Sequence, residues 1–470
     1  MSGAGWSERR LHFVAAGGAG MSGLALVCHR LGATVTGTDR ADSSYLQRLR
    51  DAGLDVRVGH DADAVDPTAE LVVSTAIGPE NPELVRARER DQTIHHRSDL
   101  LAELCASKRL IAVAGAHGKT TTTAMLTHAL RRAGADPAFF IGGELPGAGP
   151  GGAATNAGWA EGEWVVAEAD ESDASFLKLQ PEVAVVTNIE LDHHSHWGGL
   201  TELTGAFERF AQPARAVVLG PEVDGRIASS SHQCLRVRGE VAEPTGTPGV
   251  LGATALSFDD GWSFTVTSPA GDVTGVRLPV PGRHNVLNAL SALAAVHAAG
   301  LDLEAAAAGL ADFPGVARRL EFKGRRNGAG IYDDYAHHPT EVAAALAALR
   351  EITPGRLLAV FQPHLYSRTR SLAREFGEAL ASADEVFVLD VYPAREHPVG
   401  DLAGISGLMV AEAAADHAGG RPVWWVGDHD GATDAAAGAL GPGDTLATLG
   451  AGDVHTVGEM LVEAATTPSA

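Results

Sequence analysis

The chain has 470 residues, 45% of them apolar and 20% charged, a globular balance too long for one core, and about 150 residues per domain points to three. A formal net charge of −23 argues against a nucleic-acid or membrane-surface binder, whose footprint is basic, although local cations and backbone N–H groups still hold phosphates on such a surface. Cys28, Cys105 and Cys234 lack C-x-x-C spacing, the N-terminus has no long apolar segment, and no apolar run reaches the ~18 residues of a membrane span, so a reducing, cytoplasmic location is expected.

Leu11–Ala16 reads as an apolar strand, followed by Gly17-Gly18-Ala19-Gly20 and a helix from about Met21 to Leu31. A second strand, Thr34–Thr38, ends at Asp39, and Leu71–Thr75 reads as another. The next unit opens with the strand Arg109–Ala114, the loop Gly115-Ala116-His117-Gly118-Lys119-Thr120 and a helix whose apolar face includes Met125, Leu126, Ala129 and Leu130 and that Gly134 stops. Glu163–Glu168 and Pro181–Asn188 read as buried parallel strands, short apolar runs ending in polar residues. Around 235–280 the pattern alternates, as in Trp262–Val266 after an Asp-Gly turn, and predicts antiparallel strands; a helix over Asn285–Ala299 follows. A third unit has strands at Ile331–Asp334, Leu357–Phe361, Glu385–Asp390 and Thr445–Leu449, with a helix over Pro339–Arg350. Segments 143–158 and 239–253, rich in Gly and Pro, are expected to be mobile loops, and Thr466–Ala470 a frayed tail. Strands alternating with helices imply parallel sheets covered by helices, hence three α/β domains near 1–107, 108–315 and 316–470.

The strongest motif is Gly115–Thr121. A glycine turn between strand and helix lets backbone N–H groups converge on phosphate oxygens. Lys119, one of four lysines in the chain, is expected to face solvent and neutralise the β/γ-phosphates, with the Thr120 hydroxyl placed to meet Mg²⁺. Val113 stands where the longer G-x-x-x-x-G-K-[ST] loop has its first glycine, so this is a shorter G-x-x-G-K-T version. Glu168, after one strand, suits the same Mg²⁺. His193, after the next, suits a second cation or orients the reacting groups, although His193-His194-x-His196 also fits zinc, without cysteine partners. Gly17–Gly20 with Asp39 about twenty residues on is a partial dinucleotide fingerprint. It suits a pyrophosphate at a helix start, from NAD or from another diphosphate such as a UDP-sugar.

Eight stretches in order together resemble the Mur ligase family: GGAGMSGLA at 17–25, GAHGKTTTT at 115–123, EADESDASF at 168–176, TNIELDH at 187–193, GRHNVLNA at 282–289, GVARRLEFKG at 315–324, YDDYAHHPTEV at 332–342 and FQPHLYSRTR at 361–370. The resemblance implies a Rossmann-like UDP-binding domain over 1–107, a P-loop ATPase-like central domain over 108–315 and a Rossmann-like amino-acid-binding domain over 316–470. It implies ATP-dependent ligation of L-alanine to the lactyl carboxylate of UDP-N-acetylmuramate through an acyl phosphate, for peptidoglycan synthesis, with ATP and Mg²⁺ and no nucleic acid or membrane partner. Lys119, Glu168, His193 and Arg319 match the family's catalytic positions, and Thr120, Glu168 and His193 its metal positions. ATP positions are Gly115, Ala116, His117, Gly118, Lys119, Thr120, Thr121, His284, Asn285, Asn288, Arg319, Asp334 and His338, with Asn285 and Asn288 near the base. The UDP positions are Gly17, Gly18, Ala19, Gly20, Met21 and Asp39, and Arg368 is the amino-acid anchor. Three positions depart from the pattern: Ala15 replaces a glycine, Ala116 a frequent threonine and Leu365 a frequent arginine. No lysine lies between Lys178 and Lys323, so a carbamylated lysine is not expected.

Overall fold

The computed structural model describes residues 5–466 apart from 192–196, 222, 224, 228–232, 241–248 and 272. Its strands form three largely parallel sheets, the three-domain α/β architecture expected from the alternating pattern. The first sheet has the order β3-β2-β1-β4-β5 and is parallel throughout. Its strands are β1 (Arg10–Val14), β2 (Thr34–Asp39), β3 (Asp55–Val58), β4 (Glu70–Val73) and β5 (Ile94–His96). They alternate with α1 (Ala19–Arg30), α2 (Ser44–Asp51), α3 (Pro82–Glu89) and α4 (Arg97–Cys105). Side chains begin the last three: Ser43 accepts from the Leu46 N–H, Asn81 from Glu83 and Leu84, and His96 with Asp99 forms a capping box.

The second sheet has ten strands in the order β15-β14-β13-β12-β11-β10-β6-β9-β7-β8. They are β6 (Arg109–Ala114), β7 (Ala138–Leu145), β8 (Thr155–Gly158), β9 (Trp164–Glu168), β10 (Val183–Val186), β11 (Ala216–Leu219), β12 (Gln233–Glu240), β13 (Val250–Phe258), β14 (Trp262–Thr267) and β15 (Val273–Leu278). The β13-β14-β15 meander is antiparallel, as the alternation predicts, whereas β12 joins both neighbours in parallel. The accompanying helices are α5 (Lys119–Arg132), α6 (Leu200–Ala211), α7 (Arg283–Ala299) and α8 (Leu303–Gly309). Two expectations are corrected. Segment 143–158 is not all loop, because β7 runs to Leu145 and β8 pairs with it; and the strand expected over Pro181–Asn188 shrinks to Val183–Val186. Of 239–253, residues 250–253 belong to β13, and 241–248 lie outside the described residues.

The third sheet has the order β16-β17-β21-β18-β19-β20. Its strands are β16 (Glu321–Arg326), β17 (Ala329–Asp334), β18 (Leu357–Phe361), β19 (Glu385–Leu389), β20 (Val423–Gly427) and β21 (Thr445–Leu449). Only β16–β17 is antiparallel. Helices α9 (Pro339–Ile352), α10 (Tyr366–Leu380) and α11 (Leu408–His417) share one core, while α12 (His429–Ala439) and α13 (His455–Thr466) share the other.

The chain divides into two compact units, Met1–Pro279 with Val286–Pro314, and Val280–Asn285 with Gly315–Ala470. The first and second sheets thus lie in one unit, and a single apolar cluster runs from Leu24 and Val27 of α1 to Ala157, Val165 and Phe176. Gly23 permits this closeness, since a Cβ there would lie 2.9 Å from the Ala157 methyl.

A phosphate loop, its carboxylates and a second glycine turn

In the first unit, β6 feeds a turn whose backbone only glycine adopts without strain. Gly115 has φ +138, and an added Cβ would lie 2.1 Å from the Thr187 hydroxyl; Gly118 has φ +78, and its Cβ would meet the Asn288 Oδ1 at 2.5 Å. The chain just beyond β10 staples the loop from the side. Thr187 Oγ1 donates to the His117 carbonyl at 2.7 Å, and the His117 N–H donates to Asn188 Oδ1 at 2.9 Å. The His117 ring meets Glu190 Oε2 at 2.9 Å. Ala116 and Thr121 complete the turn and the first residues of α5, whose opening N–H groups lack intrahelical acceptors.

Lys119 departs from the expectation of a solvent-facing ammonium: its side chain is 14% exposed. Nζ donates to the Gly115 carbonyl at 2.6 Å and pairs with Glu171, itself 4% exposed, at 2.9 Å. Burial alone would lower the lysine's pKa, but Glu171, Asp170 and Glu168 together drive it above its ordinary range. The same burial pushes the Glu171 carboxyl up, with Lys119 opposing.

Thr120 and Glu168 come together. Thr120 Oγ1 donates to Glu168 Oε1 at 3.2 Å, and the Gly142 N–H donates to Oε2 at 2.7 Å. A Cβ on Gly142 would lie 2.7 Å from that carboxylate. A hydroxyl beside a carboxylate is a hard-oxygen donor pair, which fits Mg²⁺. His193, with His194 and His196, lies outside the described residues. Asn288 faces the phosphate loop: its Oδ1 accepts from Thr122 Oγ1 at 3.3 Å.

The other glycine turn joins β1 to α1. Gly17 donates its N–H to Asp39 Oδ2 at 2.8 Å, so the structure brings together the two ends of the partial fingerprint. Gly18 is the N-cap, Ala19 and Gly20 open the helix, and Met21 is buried beneath it. Ala15 takes φ +62, a left-handed conformation that explains why a glycine there would be easier to accommodate.

In the second unit, Arg319 is flanked by Arg318 and Leu320, both at positive φ (+59 and +49). Such strain persists only where surrounding contacts fix it. Arg318 donates to Asp333 at 3.0 Å and to the Gly450 carbonyl at 2.7 Å, and the Arg319 guanidinium lies 5.3 Å from the Tyr335 ring centre. Asp334 accepts the Leu320 and Ala336 N–H groups, each at 2.8 Å; burial raises its pKa to about 6 although Arg319 opposes the rise. His338 is the buried N-cap of α9. His284 is pushed down to about 4 by desolvation and the Arg319 charge, and Asn285 Nδ2 donates to the Pro281 carbonyl at 2.7 Å. Arg368, in the first turn of α10, lies 3.5 Å from His364 Nδ1. The N-cap of that helix is Leu365, held at φ +68.

Sequence reading assigned no role to Glu171, Gly142, Glu190, Thr187 or Asn188. The last three sit in a stretch singled out by its resemblance, but nothing local says that they grip a loop some seventy residues earlier.

The chain matches the description "Mur ligase family, catalytic domain" over 10–109, "Mur ligase middle domain" over 113–296 and "Mur ligase, glutamate ligase domain" over 318–452. It is 45% identical to a UDP-N-acetylmuramate–L-alanine ligase of Mycolicibacterium vanbaalenii, covering 97% of this chain and 96% of that one. It is 44% identical to the same-named protein of Thermobifida fusca, with the same coverage. Among solved structures, a UDP-N-acetylmuramate–alanine ligase of Thermotoga maritima superposes with a TM-score of 0.82 at 28% identity, covering 97% of this chain and 98% of that one. With three matched models spanning most of its length and these relatives end to end, the chain belongs to the Mur ligase family.

Proposed function

We propose that the protein joins L-alanine to the lactyl carboxylate of UDP-N-acetylmuramate, consuming ATP and yielding UDP-N-acetylmuramoyl-L-alanine, ADP and phosphate. This is a cytoplasmic step of peptidoglycan synthesis, and no helix among the described residues is long and apolar enough to cross a membrane. The observation that carries the reading is the phosphate loop with Lys119, Thr120 and Glu168 gathered in the unit that also holds the Gly17–Asp39 turn. Relatives of that named activity, at 44–45% identity over nearly the whole chain, support it.

In this reading, 1–107 holds UDP through Gly17, Gly18, Ala19, Gly20, Met21 and Asp39. Residues 108–315 hold ATP, and 316–470 the amino acid. Gly115–Thr121 and Asn288 hold ATP from the first unit; His284, Asn285, Arg319, Asp334 and His338 are assigned to it from the second. A carboxylate is a poor electrophile, so one of its oxygens attacks the γ-phosphorus and the bond to the ADP oxygen breaks. The neutral amine of alanine then attacks the acyl carbon, the C–O bond to phosphate breaks, and the amine proton leaves to solvent. Each transfer gathers negative charge that Lys119 and Arg319 would stabilise. Thr120 and Glu168, with His193, would hold Mg²⁺, whose charge neutralises phosphate oxygens. Arg368 would anchor the alanine carboxylate through its planar fork.

The test is phosphate release with UDP-N-acetylmuramate, ATP and each common amino acid in turn. L-Alanine should give the highest kcat/KM, with glycine reduced by about 10–200-fold for the missing methyl. Phosphate release independent of any amino acid, or greatest with a bulky one, would overturn the assignment.

A further inference from the structure

Arg97, at the first position of α4, lies between the Gly17–Gly20 turn and the acidic stretch that follows β9. Its Nη2 is 3.3 Å from Asp170 Oδ2, in the acidic stretch that follows β9. Its Nη1 is 3.1 Å from where a Cβ on Gly20 would stand. Gly20 does not have a positive φ, so its backbone does not require glycine; a side chain there would crowd the guanidinium lying over it. The side chain is 23% exposed, and α4 is fixed on both flanks. Leu100, Leu104 and Cys105 pack in the cluster that contains Phe176, and Asp99 pairs with Lys178 at 2.5 Å. The guanidinium is therefore held by a rigid element, the condition for precise recognition of a ligand.

Gly17–Gly20 already carries one negative charge, the Asp39 carboxylate bound to the Gly17 N–H. A diphosphate adds two more. Backbone N–H groups supply partial charges only, so a full cation is needed to make the site net attractive in a chain of net charge −23. Arginine presents five donors in a planar fork, and the Asp170 contact at Nη2 leaves Nη1 directed over the loop. Asp170 holds the fork in place without consuming it.

We propose that Arg97 is a substrate-positioning residue that clamps the diphosphate of the UDP-sugar onto the Gly17–Gly20 turn, with Asp170 orienting its guanidinium. The proposal rests on the assignment of UDP to that turn. Because Asp170 follows Glu168 by two residues, the clamp also ties the diphosphate to the loop bearing the carboxylate proposed to act at the phosphates of ATP.

The test is calorimetric titration of the full-length protein with UDP, together with steady-state kinetics. Wild type should bind UDP. Arg97→Ala should raise the UDP Kd and the KM for UDP-N-acetylmuramate at least tenfold, leaving the ATP KM within twofold. Arg97→Lys, which keeps the charge and loses the fork, should fall between them and guards against a misfolded alanine variant. Asp170→Asn should retain UDP affinity within about threefold, because the cation remains. An Arg97→Ala protein with wild-type UDP affinity overturns the clamp alone. So does an equal loss of UDP affinity in Asp170→Asn, which would make the contact a structural tether. A wild-type protein that does not bind UDP overturns the UDP assignment itself, and the clamp with it.

Discussion

Lys119 and Glu171 form a largely buried ion pair beside the phosphate loop. In the proposed reading, phosphate oxygens arriving at that loop would compete for the same ammonium with Glu171, a carboxylate that sequence alone gives no reason to single out. Lys119→Met should abolish turnover, and it should also destabilise the protein by about 3 kcal/mol, because it strands Glu171 without its cation. Adding Glu171→Gln should recover most of that stability and none of the activity; urea unfolding of both variants, with phosphate release, checks this. Glu168 has a different task, since its oxygens meet the Thr120 hydroxyl and the Gly142 N–H. Glu168→Ala should shift the Mg²⁺ requirement at least tenfold upward, as one hard-oxygen ligand is lost. A magnesium titration superimposable on wild type would reduce Glu168 to a surface acid.

At the scale of elements, the β6–α5 connection shows how three separate stretches share one turn. Gly115 must be glycine twice over, for its φ of +138 and for the Thr187 hydroxyl that occupies the place of a Cβ. Gly115→Ala should therefore cost on the order of 3 kcal/mol and weaken ATP binding by more than tenfold, read by thermal unfolding and nucleotide titration. The second unit carries titrating groups of opposite sign. His284 has a folded pKa of about 4, against about 6.5 unfolded. Between those values the unfolded chain binds more protons, so stability falls as pH drops through that window. Asp334, raised to about 6, acts the other way: the folded state holds its proton longer, and stability falls as pH rises toward 6. Replacing His284 with Gln should reduce the loss of stability between pH 7 and pH 4 by on the order of 2 kcal/mol, measured by urea titration at each pH.

For the whole molecule, chemistry in two steps demands that activation of the carboxylate precede arrival of the amine. With UDP-N-acetylmuramate and ATP but no alanine, an acyl phosphate should form and be trapped by hydroxylamine as the hydroxamate. Its formation should vanish in Lys119→Met and persist in Arg368→Ala, since the proposed anchor of the alanine carboxylate would act only in the later step. Absence of trapped product in wild type, with isotope exchange indicating a concerted reaction, would defeat the stepwise order. Inert thiols suit such an enzyme: burial pushes Cys28 and Cys105 up to about 12, out of reach of oxidation or alkylation at neutral pH.

Much of the fold was legible because strand and helix signals are local. Arg109–Ala114, Leu357–Phe361 and Thr445–Leu449 occupy the same residues in sequence reading and structure, each an apolar run closed by a turn residue or a polar one. The end of α5 before Gly134 follows from glycine punctuation. Ala-rich α11 and α12 and the half-exposed β20 were not placed, since alanine gives little contrast between faces and β20 does not alternate. The motifs by themselves named the groups of the candidate site: a lysine and threonines on a glycine turn, and carboxylates after a strand. Tertiary structure alone decided which partner each group has. Glu171 reaches Lys119 across 52 residues, Gly142 grips Glu168, and Arg97 rests on Gly20, because parallel crossovers bring the ends of distant strands side by side. It also decided that the first two sheets share one core, a contact of Gly23 with Ala157 that no pattern within either segment encodes.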